Sequence, residues 1–290
     1  MSASWLLGLG VTTLRLGVPY IMAALGGTVS ERAGVINIAL EGLLLLSALG
    51  AALGAPHGAA AAALAGLGAG LAAAAVFGLL TVLLRANQVV CGVAMFLLAD
   101  GLSRFLLKVV YGSTSNSPRL GQLEGHWAPL FVTGALLAGL LLHGLLGATT
   151  FGLRLRAVGE HPAAARSLGV PVHRVRLLAV LLSGLLTSVG GIWLVFDQRQ
   201  FVALMSGGRG FIALAAMIFG GWRPLGAVGA ALLFALAEAL AVRLQAQGLP
   251  LPNYAVQMLP CGLTLVALGL RGAMGTRGSR PPAALGQPLD

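Results

Sequence analysis

An all-α, polytopic membrane bundle of about eight to ten spans is the fold class this sequence predicts. Three observations carry the prediction. Hydrophobic residues make up 58% of the chain and charged residues 9%; soluble domains need about 25% charged residues to cover their surface. Apolar runs recur between short polar breaks, and a run of about 20 residues crosses the hydrocarbon layer as a helix. Glycine is abundant, 43 of 290 residues, and small residues let membrane helices approach closely.

The net charge of +10 raises the question of nucleic acid binding, which the placement of the charges answers. The arginines sit mostly at the edges of apolar runs, with no basic run interleaved by aromatics, so charge bias across a membrane explains them and no nucleic acid partner is expected. Cys91 and Cys261 each stand alone in an apolar run and read as small hydrophobes, with neither a disulfide framework nor a CxxC metal signature. No metal is expected. Met1–Leu14 lacks the basic start and small-residue cleavage pattern of a secretory signal, so the first span is expected to stay.

Met1–Leu16 is mixed, and Trp5 and Arg15 suit an interface. Gly17–Gly27 is too short to span alone. The first crossing therefore either includes Met1–Leu16 or continues into Ser30–Gly42, SERAGVINIALEG. That stretch organises the chain. It sets Glu31–Arg32 beside glycine, then an apolar run carrying Asn37 and Glu41. A polar group facing lipid is costly, so an intramembrane amide and carboxylate read as lining a path. The alternative for Glu41 is a helix end at headgroup level.

Ala33–Leu84 is long enough for two spans, broken at Ala55–Gly58. Gly50/Gly54 and Gly66/Gly70 have GxxxG spacing, a close-packing device that a Gly/Ala-rich chain also produces by chance. After the polar turn Arg85–Gln88 comes Val89–Val110, with Asp100 and Arg104 four apart on one helix face. They read either as a pair near the helix end or as Asp100 on an aqueous path. Tyr111–Pro129 is a loop. Leu130–Thr150 is a span interrupted by His143, with no second ligand at metal spacing.

Phe151–Arg176 is the most polar stretch, with Arg154, Arg156, Arg166, Arg174 and Arg176 against Glu160, and the positive-inside rule assigns it to the cytoplasm. Within it Glu160–Gly169 predicts a short helix: Pro162 suits the first turn, Ala163–Ala165 favour helix, and Gly169 stops it. It reads as a partner's grip or as an ordinary solvated loop. Leu177–Phe196 is a span. Asp197–Arg209 is polar and Gly-rich, Phe211–Gly221 is too short to cross as a regular helix, and Trp222–Pro224 breaks it. Leu225–Val242, carrying Glu238, and Tyr254–Leu270 are the last spans, and residues 273–290 form a disordered cytoplasmic tail. Gly34–Ala39 echoes Gly210–Ala215, each opening an interrupted apolar segment; paired interrupted segments point to a translocation site, although the echo alone is six small or apolar positions.

Ala24–Gly42 (ALGGTVSERAGVINIALEG), Ala157–Val170 (AVGEHPAAARSLGV) and Gly208–Leu233 (GRGFIALAAMIFGGWRPLGAVGAALL) resemble the permease subunits of bacterial ABC importers of the branched-chain amino acid, ribose and nucleoside type. Within that family the likeness is greatest to guanosine/nucleoside uptake permeases, and it runs over most of Thr12–Leu270. Where such permeases often carry Asn-Pro in the loop, this chain has His161-Pro162.

The resemblance implies a multi-pass protein of the bacterial cytoplasmic membrane, with residues 1–272 as the permease domain and 151–176 as its coupling loop. It implies a cytoplasmic ABC ATPase, a second, related permease subunit, and an extracytoplasmic solute-binding lipoprotein. ATP is then bound by partner subunits: this chain has no GxxxxGK[ST] loop, and no cofactor of its own is expected. The path falls near Asn37, Glu41, Arg209 and Gly210, with Asp100 a further candidate; the coupling residues are Gly159, Glu160, His161, Pro162, Arg166 and Gly169. The implied solute is a nucleoside, with a ribose-like sugar as the alternative. An ion-coupled secondary transporter shares the interrupted helices and the carboxylates Glu41, Asp100 and Glu238, but not the Arg-rich helix between spans. An enzyme fits least: His57, His143, Glu160, His161 and His173 are scattered, without HExxH or GxSxG.

Overall fold

The computed structural model describes residues 3–246 and 281–287, together with the isolated helical positions Gly262, Val266 and Gly269. The expected last span, Tyr254–Leu270, otherwise lies outside the described residues, as do Cys261 and most of the tail. Ten α-helices are described: α1 (Ala3–Arg32), α2 (Leu40–Gly54), α3 (Ala59–Gly78), α4 (Gln88–Tyr111), α5 (Ala128–Ala148), α6 (Thr150–Glu160), α7 (Pro162–Ser167), α8 (Val172–Gln198), α9 (Arg209–Phe219) and α10 (Pro224–Ala246). Seven of them are long and apolar enough to cross a membrane. Among the described residues the only β pairing is an isolated bridge, Asn116 to Val202.

α1 answers the question of the first crossing: it is one helix from Ala3, so residues before Gly17 belong to it. It stops because Gly34, at φ +88°, turns the chain, while the N–H groups of Ala33 and Val35 bond Ser30 O. Together α1 and α2 form the centre, with α8, α9 and α10 packed on α1 and with α3, α4 and α8 on α2. From Leu40 to Ala52 every residue of α2 is buried, as expected of a helix that is apolar all round. α3, α4 and α5 turn Leu64, Leu97, Phe105 and Leu141 outward, faces that suit lipid.

The GxxxG pairs are contacts in fact. A Cβ on Gly54 would lie 2.6 Å from Ala61 O, and one on Gly50 2.6 Å from Ala65 O, so α2 and α3 touch backbone to backbone. Gly66 and Gly70 seat α3 against Ile192 and Ser188 of α8. α4 starts on Asn87, whose Oδ1 accepts from the N–H groups of Val89 and Val90, and ends on Gly112 in the left-handed conformation.

The polar stretch after α5 departs from the expected loop. It holds two helices, α6 and α7, and α8 begins at Val172, so Arg174 and Arg176 are helical. α7 follows the expected signals: Pro162 opens it, and Gly169 at φ +80° closes it with Gly169 N donating to Arg166 O and Val170 N to Ala165 O. Residues 281–287 correct the expectation of disorder for that part of the tail. They form a turn in which Ala284 N donates to Gly159 O (2.9 Å) and Gly286 N to Gly34 O (3.1 Å), because backbone groups left free at two helix ends capture them.

Two ends of the bundle follow from these contacts. The elbow end gathers the end of α1, α6, α7, the start of α8 and residues 281–287. The opposite end gathers the start of α1 and the ends of α8 and α10, through Arg15–Asp197 and the bond from Arg243 to Trp5 O.

Candidate functional site

Two crossings carry irregular segments, and the helices that follow them meet. Residues 33–39 rise from the elbow end without regular structure before α2 begins at Leu40. Residues 199–208 descend from the opposite end before α9 begins at Arg209. At 11 residues, α9 is only about 16 Å long, half a membrane. α2 and α9 start against each other: a Cβ on Gly210 would strike the backbone of Glu41. Only glycine permits that approach. The sequence echo does not carry over to structure: Gly34–Ala39 lies in the irregular approach before α2, whereas Gly210–Ala215 lies inside α9.

Glu41 is the keystone of this junction. It lies in the first turn of α2, and its carboxylate accepts from Gly208 N (2.8 Å) and Gly210 N (2.6 Å) at the start of α9. One buried carboxylate therefore answers the positive ends of two helices and satisfies backbone donors that have no partner inside α9. Glu41 is 2% exposed, so it braces the junction and does not line an open surface.

Beside it runs a second charged set that the sequence reading only half found. Arg209 Nη2 donates to Glu238 Oε1 of α10 (2.6 Å), Nη1 donates to Met205 O, and the guanidinium lies 6.0 Å from the Tyr20 ring centroid of α1. Both partners are mostly buried, at 15% and 19% side-chain exposure. Arg209 Nε and Glu238 Oε2 have no protein partner. Glu238 was legible as an intramembrane carboxylate and Arg209 as a path residue; that the two pair, 29 positions apart, was not.

The motif also holds the far end of α9. Trp222 has φ +54°, rare for a bulky residue. It is held there because its indole N–H donates to Glu31 Oε2 (2.7 Å) and its carbonyl accepts from Arg32 Nε (2.7 Å). Ser30–Gly42 thus clasps α9 at both ends. Asn37 sits apart from the charged set. It is fully buried and donates to Ser183 Oγ of α8 (2.9 Å), while its Oδ1 lacks a partner. Asp100 stands apart as well, half-exposed and paired with Arg104 (2.9 Å). Of the five predicted path residues, the structure brings together Glu41, Arg209 and Gly210; Asp100 pairs with Arg104 in the middle of α4 and not at a helix end.

At the elbow, a Cβ on Gly159 would clash with Arg32 O, so α6 rests directly on the end of α1. Glu160 Oε2 accepts from Ala283 N (3.2 Å), and His161 is the residue between α6 and α7. Leu168, just past α7, is 84% exposed. Arg176, expected among solvated charges, is 2% exposed; its Nε donates to Ala33 O (3.1 Å) and its Nη1 to Gln287 O (2.9 Å). A buried arginine bonded to carbonyls looks, in sequence, the same as a basic loop residue. Among the described residues no cluster of His, Cys, Asp and Glu is arranged to hold a metal.

Known proteins are similar to this sequence. Residues 10–268 match the family described as the branched-chain amino acid transport system / permease component. The guanosine ABC transporter permease protein NupQ of Bacillus subtilis is 38% identical, over 88% of this chain and 89% of its own length. The nucleoside ABC transporter permease protein NupC of Lactococcus lactis is 36% identical, over 87% and 88%. The putative glucose ABC transporter permease protein TsgC13 of Haloferax volcanii is 36% identical, over 86% and 82%. No solved structure gives a significant match. With its multiple apolar crossings and a match over nearly its whole length, the chain belongs to the ABC transporter permease family of the branched-chain amino acid type, as a multi-pass protein of the inner membrane.

Proposed function

We propose that this permease carries a neutral, hydrogen-bonding solute, a nucleoside, past the junction of α2 and α9. The observation that carries the solute class is Glu41. Paired half-helix N-termini in a membrane favour an anionic group, and here the chain's own carboxylate fills that role. A solute with a free carboxylate would have to compete with it, whereas a nucleoside needs only hydrogen-bonding groups such as Asn37 Oδ1 and Arg209 Nε in an apolar wall. The likeness to NupQ and NupC supports the same solute, and the likeness to TsgC13 keeps a sugar as the second reading. An ion-coupled mechanism is disfavoured because Glu41, Asp100 and Glu238 each have a donor partner in the chain.

Force enters at the elbow, residues 151–176, on the cytoplasmic side. A partner ATPase grips α7 and the exposed Leu168, with Glu160, His161, Pro162, Arg166 and Gly169 shaping the grip. Gly159 passes the displacement to the end of α1 and so to the clasped α9. The spans then shift between two packed arrangements, as rigid elements do. ATP is bound and hydrolysed by the partner, a second permease completes the path, and a solute-binding lipoprotein delivers the solute. The chain itself catalyses no covalent step and needs no cofactor.

The test uses the assembled importer in proteoliposomes with labelled guanosine. Guanosine uptake is expected, with excess ribose failing to compete. Replacing Glu160–Arg166 by a Gly/Ser linker should abolish uptake at normal expression. Undiminished uptake by the linker variant would contradict the elbow assignment, and ribose competition would move the solute to sugars.

A further inference from the structure

We infer that residues 281–287 are a strap that fixes the elbow to the first broken crossing, so that the two move as one body. This deepens the coupling reading and rests on it. The strap reaches both parts at once. Ala284 N and Ala283 N donate to Gly159 O and Glu160 Oε2 at the end of α6, while Gly286 N donates to Gly34 O at the start of the broken crossing. Gly286 lies against Ile36, in the left-handed conformation at φ +76°. Ala284 is 2% exposed, seated among these groups as a core residue would be.

Arg176 is the positioning residue for this arrangement. Its side chain, buried under the strap, donates to Ala33 O with one nitrogen and to Gln287 O with another. It therefore bonds the crossing and the strap through one rigid guanidinium, a geometry lysine cannot reproduce. Nη2, which has no partner, faces Gly34, where an added Cβ would come within 2.9 Å of it. α6 meets the end of α1 directly where Gly159 rests on Arg32 O. The strap adds backbone hydrogen bonds on both sides of that contact, and such bonds resist shear in a way that a single packing contact does not.

A strap that transmits motion stays closed while the elbow moves, whereas an inhibitory strap must open. Two variants of the complete importer separate these. In a background where Cys91 and Cys261 are replaced by alanine, Ile36→Cys with Gly286→Cys, positions in contact across the strap, should cross-link and leave uptake within about twofold of the same protein before cross-linking. A chain ending at Arg280 should assemble, keep ATP hydrolysis, and transport several-fold less solute per ATP. Should that chain fail to assemble, Ala284→Glu is measured in the same way, because it evicts only the strap from its seat. An unchanged ratio of uptake to ATP in the strap variant, or loss of uptake on cross-linking, overturns the inference. The linker experiment at Glu160–Arg166 keeps the two readings apart: if the linker abolishes uptake while strap loss leaves the ratio intact, only the strap fails.

Discussion

Glu41→Gln tests the junction most directly. The amide retains one acceptor oxygen for either Gly208 N or Gly210 N and turns an NH2 group toward the other. The loss is one charge-assisted hydrogen bond, worth about 1.5–3 kcal/mol, together with the attraction between a carboxylate and two helix N-termini, about 0.3–2 kcal/mol. The sum, about 2–5 kcal/mol, falls on the start of α9 and not on the whole bundle, because Glu31 and Arg32 still hold its far end. Every 1.4 kcal/mol is a factor of ten in an equilibrium, so the amides of residues 208–210 should lose at least about thirty-fold of their hydrogen-exchange protection. Peptide-level exchange in nanodiscs reads this. Glu41→Ala should lose more, since both donors are orphaned, and uptake should fall in the same order. If protection at residues 208–210 is unchanged in both variants, the carboxylate does not hold α9 and the account of the junction is wrong.

Two further perturbations separate packing from charge. Gly54→Val forces a side chain onto Ala61 O and Ala65 Cβ and should lower stability by about 1–3 kcal/mol; Gly68→Ala, with nothing within 4 Å of its Cβ, should leave the melting temperature in detergent unchanged or slightly raised. Arg209→Met or Glu238→Met alone strands a largely buried partner and should cost about 3 kcal/mol, whereas the double substitution should recover at least half of the summed loss. Additive losses across that cycle would show that the two charges act independently.

What was legible in the sequence is what one-dimensional pattern encodes. Low charge and long apolar runs gave the class, and Gly34, Gly208–Gly210 and Trp222–Pro224 marked the breaks because glycine and proline act locally. Pro162 and Gly169 bounded α7 for the same reason. α6 escaped because Arg154, Arg156 and Glu160 made its stretch resemble a solvated loop, although Leu155, Val158 and Gly159 form its buried side. The role of Glu41 escaped for a deeper reason. Its partners are backbone N–H groups 167 and 169 positions away, and no side-chain pattern announces a donor that every residue but proline possesses. Arg176 and residues 281–287 were hidden in the same way, since their bonds run to carbonyls and amides.

That these hidden partners are backbone groups bears on mechanism. A bond between two side chains ties together two residues that can each change rotamer, whereas a carboxylate held by helix-end amides ties a side chain to the axis of a rigid element. Glu41 fixes where α9 begins and Trp222, clasped by Glu31 and Arg32, fixes where it ends, so α9 has little freedom to move apart from the end of α1. A displacement at Gly159 reaches Arg32 through direct contact and need not be relayed through mobile side chains. The unpaired groups, Arg209 Nε, Glu238 Oε2 and Asn37 Oδ1, lie on or beside the elements so braced. On the proposed function, these are the donors and acceptors a transient solute would meet: already in place, too few to retain it.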